Sequence, residues 1–349
     1  MTKIDQLLES LNKDHKRIVA QNGVYVEDPP RLPSGIFPLD LAIGGGLPEG
    51  RINYVYGNEA SMKTTMCMKW MASAQRKYPK KKCVFVDIEG TFDKKWAKRM
   101  GMDVDSLVYS RPAHAEQAVD VIHALMYADD VSVMCVDSLA AMITNKELDS
   151  DAEDSMMGVN GILINKLYRK VSRGLAMNYE DGRLVTPIFL NQVRAKMGVT
   201  HGDPETTPGG KAFHFGSSMT LRFYGKDVVD KDVDESSPAF KHVSVIVKKS
   251  KVPIVARSSE FDMALIPQVG LKVGSAPDYK TIFHYLKTLE FLSKPAKLWQ
   301  VADDAGKLMM EAKTQDEIDV RLRKDREFSD QIRQCIIRKR LAQLEAEVE

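Results

Sequence analysis

Apolar residues at Ile4, Leu7, Leu8, Leu11, Ile18 and Val19 open the chain. Their spacing draws a single stripe along a helix. Gly23 and the Pro29-Pro30 pair end it, since proline lacks the backbone donor a helix needs. Residues 1–30 thus read as a helical arm and linker. Its one apolar stripe has to pack on the rest of the chain or on a neighbouring copy. From Arg31 the pattern changes to short apolar runs at Ile52–Tyr56, Cys83–Asp87, Val131–Asp137 and Pro187–Asn191. They alternate with helical segments at Lys63–Lys77, Ala115–Met126 and Val159–Met177. Near-continuous apolar strands between helices predict a mostly parallel sheet covered on both faces. Ser218–Tyr224 and Val243–Lys249 alternate in polarity and extend that sheet. This core is expected to span residues 31–270. Gly270–Asp278, rich in Gly, Ser and Pro, marks a boundary to a C-terminal domain over 271–349. There, Tyr279–Leu292 precedes a charged helix whose stripe is Phe328, Ile332 and Ile336.

Composition narrows the class without naming it. Of 349 residues, 44% are hydrophobic and 28% charged, which excludes a disordered, collagen-like or fibrous chain. No apolar run reaches the ~18 residues of a membrane span. The first residues lack the apolar segment of a secretory signal. Cys67, Cys83, Cys135 and Cys335 form no C-x-x-C pair. Three of them sit in apolar stretches, as in a reducing compartment, so a cytoplasmic location is expected. The net charge of +2 leaves any nucleic-acid affinity to local patches. Residues 312–349 balance nine Lys/Arg against nine Asp/Glu, so the C-terminus is not a basic tail.

The chemistry begins at Gly57-Asn58-Glu59-Ala60-Ser61-Met62-Lys63-Thr64, which follows a predicted strand and opens a predicted helix. Backbone N–H groups wrapped at a helix N-terminus hold phosphate. Lys63 is placed to reach the β/γ-phosphates and Thr64 to place its hydroxyl on Mg²⁺. The pattern G-x-x-x-x-G-K-[ST] asks for Gly where Met62 stands. An ordinary strand–turn–helix with an exposed Lys is the alternative. Asp137, ending an apolar strand, has the Walker-B place and would meet Mg²⁺ directly or through water; a helix-capping Asp is its bland counterpart. Glu89, just past Cys83–Asp87, could take a proton from an attacking water; it could also be a surface Glu in a turn. The three strand ends meet at the carboxyl edge of such a sheet, where ligands bind. Together they indicate ATP binding.

Further strings bear a resemblance. Leu39-Asp40-Leu41-Ala42-Ile43-Gly44-Gly45-Gly46-Leu47-Pro48-Glu49-Gly50-Arg51, Cys83-Val84-Phe85-Val86-Asp87-Ile88-Glu89 and Asp154-Ser155-Met156-Met157-Gly158 resemble segments of RecA recombinases. So do Asn191-Gln192-Val193-Arg194-Ala195-Lys196-Met197-Gly198 and Gly202-Asp203-Pro204-Glu205-Thr206-Thr207-Pro208-Gly209-Gly210. The likeness covers about residues 31–265 with motifs in order. Met62 fits the phage UvsX branch, which carries a bulky residue there. The resemblance implies an α/β fold, a RecA-like P-loop ATPase core with a mostly parallel sheet, a small N-terminal helical arm and an α-rich C-terminal domain.

It also implies roles. Glu89 resembles the water-activating glutamate, and Gln192 the residue that senses the γ-phosphate and moves the loop behind it. Asp93 and Trp96 fall where the family contacts adenine, and Gly57 through Thr65 surround the phosphates. Lys249 and Lys251 match lysines that reach a neighbour's γ-phosphate; a charged strand edge that resists aggregation is the alternative. Phe215 resembles an interface aromatic. Met157 matches an apolar wedge between bases, or else a Met at a helix start. Arg169 matches a phosphate-contacting arginine. The second loop, Val193–Gly210, offers Arg194 and Lys196, with Gly209, Gly210 and Lys211 at its end; its glycines and prolines are expected to keep it out of regular structure. The implied activity is ATP-dependent recombination in a helical filament on single-stranded DNA that pairs with homologous duplex DNA. Mediators and single-strand-binding proteins are further partners implied, and no membrane. A hexameric helicase on the same core, and an ATP-gated DNA scaffold with weak hydrolysis, are the rival readings.

Overall fold

The computed structural model describes residues 2–15, 28–150, 159–195, 205–229, 238–267 and 271–346. At its centre is an eight-stranded sheet. Its strands in chain order are β1 (Asn53–Gly57), β2 (Lys82–Asp87), β3 (Val108–Ser110), β4 (Val131–Asp137), β5 (Thr186–Gln192), β6 (Met219–Val229), β7 (Pro238–Ser250) and β8 (Ser258–Ala264). Their spatial order is β8-β7-β6-β1-β5-β4-β2-β3. All neighbours from β6 across to β3 pair parallel. β7 and β8 are added antiparallel at the other edge.

Burial follows this division. β1 and β4 are buried along their whole length, as strands covered on both faces must be. β7 alternates between buried and half-buried positions for most of its length. Helix Lys63–Lys77 covers one face with Met66, Cys67, Trp70, Met71 and Ala74. Helices Ala115–Leu125 and Val159–Glu180 cover the other with Ala118, Val119, Ile122, Ile164, Leu167 and Val171. All four cysteines are free and buried.

The arm forms helix Lys3–His15, shorter than the predicted stripe; residues 16–27 lie outside the described ones. Ile4 and Leu7 are mostly exposed. The C-terminal segment holds helices Tyr279–Thr288, Gln315–Lys324 and Arg326–Ala346. A small antiparallel sheet of Leu292–Ser293, Trp299–Ala302 and Leu308–Ala312 sits among them, an element absent from the sequence reading. Those strands are too short for alternation to show. Phe328, Ile332 and Ile336 are buried, and they pack in one cluster with Ile282, Leu286 and Val301 and with Phe37 and Leu41 of helix Phe37–Ala42. The stripe is therefore docked on its own segment and on the start of the core.

Asp40, on that short helix, is buried. Its Oδ1 accepts from the Ser34 backbone N–H at 2.7 Å and from Ser34 Oγ at 2.8 Å, and its Oδ2 from the Gly35 N–H at 2.9 Å. Burial nevertheless raises its pKa from 3.8 to about 7, against the pull of those donors and of Arg333. The folded state then binds a proton that the unfolded chain releases, so the contribution of Asp40 to stability is greatest below 3.8 and falls as pH rises toward 7. At about 1.36 kcal/mol per pKa unit the fall is on the order of 4 kcal/mol. Asp40→Asn should remove that slope. Urea denaturation of both proteins between pH 4 and 7 measures it, and an equal slope in the variant rejects the assignment.

Candidate functional site

The site is built where β1, β2, β4 and β5 end together. Gly57 pairs with Gln192 and Asp87 with Asp137 in the parallel ladders. After Gly57 the chain makes a loop and enters helix Lys63–Lys77. A Cβ on Gly57 would lie 2.5 Å from the Phe223 carbonyl oxygen and 2.6 Å from Ser61 Oγ, so only Gly fits. Ala60 and Met62 both take left-handed backbone, with φ of 55° and 71°. Met62 thus adopts a backbone conformation that favours Gly, at ~1–2 kcal/mol of steric cost. Its half-buried side chain packs against the core cluster that holds Met66 and Trp70. The loop keeps its turn, and the methionine is turned to packing.

Lys63 is buried, and its Nζ donates to the carbonyls of Gly57 at 3.2 Å and Asn58 at 2.6 Å. Burial lowers its pKa, while Asp137 and Glu89 oppose that fall. Thr64 Oγ1 donates to Asp137 Oδ2 at 2.6 Å. Burial, with Glu89 and Asp87 nearby, pushes the Asp137 carboxyl up to about 6 against the Thr64 hydrogen bond and Lys63. The peptide after Asp137 is cis.

Glu89 is held over this group. Its backbone N–H donates to the Asp137 carbonyl at 3.2 Å. Its Oε1 accepts from Ser138 Oγ and from Gln192 Nε2, the latter at 2.9 Å. Asp87 shapes the turn that carries it. That carboxylate accepts from the N–H groups of Gly90, Thr91 and Phe92 and from the Tyr109 hydroxyl. The sequence reading gave neither Asp87 nor Ser138 a role, although an acid ending an apolar strand was a visible signal. A hydroxyl, an ammonium and carboxylates at a helix N-terminus suit a phosphate with a hard cation. Thr64 and Asp137 offer paired oxygens for Mg²⁺, which takes few protein ligands beside phosphate.

Other predicted residues stand nearby or apart. Asp93 caps helix Lys94–Arg99, its Oδ1 accepting from the Lys95 and Trp96 N–H groups. Trp96 Nε1 donates to Thr65 Oγ1 at 2.9 Å, which seats the indole beside the loop helix. Lys249 and Lys251 lie elsewhere. Lys249 pairs with Thr220, whose other neighbour Tyr54 is near the start of β1, so it sits toward the sheet edge opposite the loop. Its Nζ donates to the Phe215 carbonyl, and Lys251 Nζ to that of Gly216 at 3.4 Å. Both ammonium groups hold the end of the short helix Ala212–Gly216. Desolvation and the adjacent Lys251 lower the Lys249 pKa.

Among the predicted DNA contacts, Arg169 is exposed on helix Val159–Glu180 and lines a shallow cavity with exposed Phe215. Gly209 and Gly210 take left-handed backbone, and Lys211 precedes helix Ala212–Gly216. Arg194 lies on a short antiparallel ladder of Arg194–Ala195 with Glu205–Thr206. That ladder corrects the expectation that the whole second loop avoids regular structure: the residues flanking Gly and Pro are free to pair. Met157 and Lys196 lie outside the described residues.

A phosphate-type loop between a parallel strand and a helix, with carboxylates at the same sheet edge, defines a P-loop α/β protein. Residues 4–269 match the RecA N-terminal domain family, and the chain belongs to it. It is 37% identical to Protein RecA of Nostoc punctiforme over 232 residues, 66% of this chain and 62% of that protein. Protein RecA of Gloeobacter violaceus is 37% identical over 232 residues, covering 66% and 60%. The figures for that of Roseiflexus castenholzii are 37% over 233 residues, 66% and 63%. The match therefore spans about three fifths of these relatives.

Proposed function

We propose that this protein is an ATP-dependent recombinase. Copies assemble head to tail into a helical filament on single-stranded DNA, and the bound strand is tested against homologous duplex DNA. One observation carries this reading. Gln192, the residue opening the second loop, donates to Glu89 at the phosphate site. That hydrogen bond supports a link between the loop site and the segment read as facing DNA.

In this reading Gly57, Asn58, Glu59, Ala60, Ser61 and Met62 present backbone to the phosphates, and Lys63 leaves its carbonyls to meet them. Mg²⁺, when bound by Thr64 and Asp137, supplies positive charge against the phosphate oxygens. Glu89 takes the proton of the attacking water. Gln192 chooses between Glu89 and a phosphate oxygen, and its choice moves the segment behind it. Thr65 stays with the phosphate loop, and Asp93 and Trp96 flank the base; the Trp96–Thr65 contact and the Asp93 cap hold that wall. Met157, Arg169, Arg194, Lys196, Gly209, Gly210 and Lys211 are read as the DNA contacts. Lys249 and Lys251, far along the sheet from their own loop, are read as completing a neighbour's site. Residues 1–30 serve as the oligomerisation arm, supported by exposed Ile4 and Leu7; residues 31–270 form the core and 271–349 a C-terminal domain. Met62 supports the narrower phage-type reading. Mediators and single-strand-binding proteins are natural partners, and the setting is cytoplasmic. Among the described residues, no helix is long and apolar enough to cross a membrane.

Steady-state ATP hydrolysis with and without single-stranded DNA, with duplex as control, tests the reading. Strong stimulation by single strands is expected; nucleotide-gated DNA binding without turnover would favour a scaffold instead. Lys63→Ala should weaken ATP binding about 10- to 100-fold, as loss of a charged hydrogen-bond donor does; wild-type affinity sinks the loop assignment. Glu89→Gln should keep filaments by electron microscopy and lower kcat about 10²-fold or more. Paired Lys249→Ala and Lys251→Ala changes should spare ATP binding by the monomer and abolish DNA-stimulated turnover. Unchanged stimulation in that double variant removes the lysines from the site.

A further inference from the structure

Arg222, in β6, is completely buried. Its guanidinium reaches two distant parts of the chain at once. Nε donates to Glu205 Oε2 at 3.0 Å and Nη2 to Glu205 Oε1 at 2.7 Å. Nη2 also donates to Asn58 Oδ1 at 2.9 Å, and Nη1 to the Phe223 carbonyl. The guanidinium carbon lies 4.1 Å from the centre of the Tyr224 ring and 5.7 Å from that of Tyr56. A planar, permanently charged fork beside aromatic rings and bound on both edges has little freedom to turn. A buried charge of this kind needs its partner, so the Glu205 carboxylate and Arg222 are obliged to stay together.

The two ends of this contact matter. Asn58 is in the phosphate loop. Glu205 begins the described limb that runs through Gly209 and Gly210 to Lys211. That limb is tied elsewhere as well: Ala195 pairs with Glu205, and Asn191 Nδ2 donates to the Pro208 carbonyl at 3.0 Å. β6 itself packs tightly on the loop. A Cβ on Gly225 would come within 2.9 Å of the Ala60 carbonyl oxygen. The Gln192–Glu89 bond joins the site to the start of the second loop; Arg222 joins it to the end.

We propose that Arg222 is a positioning residue, a strut that passes the placement of the phosphate loop at Asn58 to the Glu205–Lys211 limb. This rests on the recombinase reading above. Nucleotide bound in the loop then sets the DNA limb by two routes, one through Gln192 and one through Arg222. Loss of the second route should leave nucleotide binding in place and uncouple DNA affinity from it.

The experiment compares single-stranded DNA affinity with a non-hydrolysable ATP analogue and with ADP, by fluorescence anisotropy at fixed salt. The ratio of the two affinities is the readout. Glu205→Gln keeps the side-chain shape and removes the charge. It should lower the ratio at least fivefold while analogue affinity without DNA stays within twofold. Glu205→Asp should recover part of the ratio. Arg222→Lys, which keeps the charge and loses the fork that reaches Asn58 and Glu205 together, should also lower it. Hydrogen exchange at residues 206–212 gives a DNA-free check: the analogue should protect these amides in the wild type and less so in Glu205→Gln. A wild-type ratio in Glu205→Gln, or equal loss of DNA affinity with both nucleotides, overturns the strut. A wild type whose DNA affinity ignores nucleotide overturns the recombinase reading, and the strut with it.

Discussion

Parallel pairing in register places Gly57 beside Gln192 and Asp87 beside Asp137. Side chains alternate along a strand, so a slip of one residue would turn each to the opposite face. The arrangement of the candidate site depends on that register. Lys63, Thr64, Glu89 and Asp137 come from three separate stretches of chain. They meet because their strands end at one edge, in the register that the parallel ladders record. Asp87 shows how the edge is finished. Its carboxylate gathers three backbone N–H groups and a tyrosine hydroxyl to fold the turn that presents Glu89.

The phosphate loop shows a local rule broken and compensated. A left-handed methionine is unfavourable on backbone sterics alone. Here the side chain that causes the strain also joins the packing beneath helix Lys63–Lys77. Apolar burial, at ~25 cal/mol per Å², acts against that steric cost. The loop therefore keeps its anion-binding turn with a residue that propensity would reject. Gly57 has no such freedom, because the atoms that block a Cβ there include the Phe223 backbone oxygen, which cannot give way.

Much of this was legible in the sequence, for physical reasons. Helix Lys63–Lys77 and strand Val131–Asp137 have the predicted bounds, since a long amphipathic or continuous apolar run leaves little ambiguity. β3 and β8 were not predicted. Val108–Ser110 is too brief for a pattern, whereas Ser258–Ala264 does alternate, with Phe261 and Met263 buried between exposed Ser258, Glu260 and Asp262, a legible signal that the reading passed over. The loop residues could be named because phosphate chemistry demands a fixed order of types. Who touches whom could not. Nothing in the string Met219-Thr220-Leu221-Arg222 says that the arginine reaches Glu205 and Asn58; only a charge inside an apolar strand hinted that it had a partner. Asp93 and Trp96 likewise carry cap and hydrogen-bond duties that spacing alone does not reveal.

The placement of Lys249 and Lys251 bears on how copies meet. Within one chain both ammonium groups rest on carbonyls that end helix Ala212–Gly216. Lys249 lies level with the early residues of β1, whereas the phosphate loop lies past its end. A rigid sheet cannot bring those two edges together. On the proposed reading, the lysines of one copy can meet phosphate only on another, by stacking the lysine edge of one sheet over the loop edge of the next. Such a contact is head to tail: it uses a different surface on each copy, and repeating it yields a ring or a helix. The same movement withdraws the lysines from the carbonyls they now hold. On that reading the helix bearing Phe215, directly after the limb tied by Arg222, would lose those contacts. Assembly and nucleotide binding would then act on adjoining parts of one segment, from opposite ends.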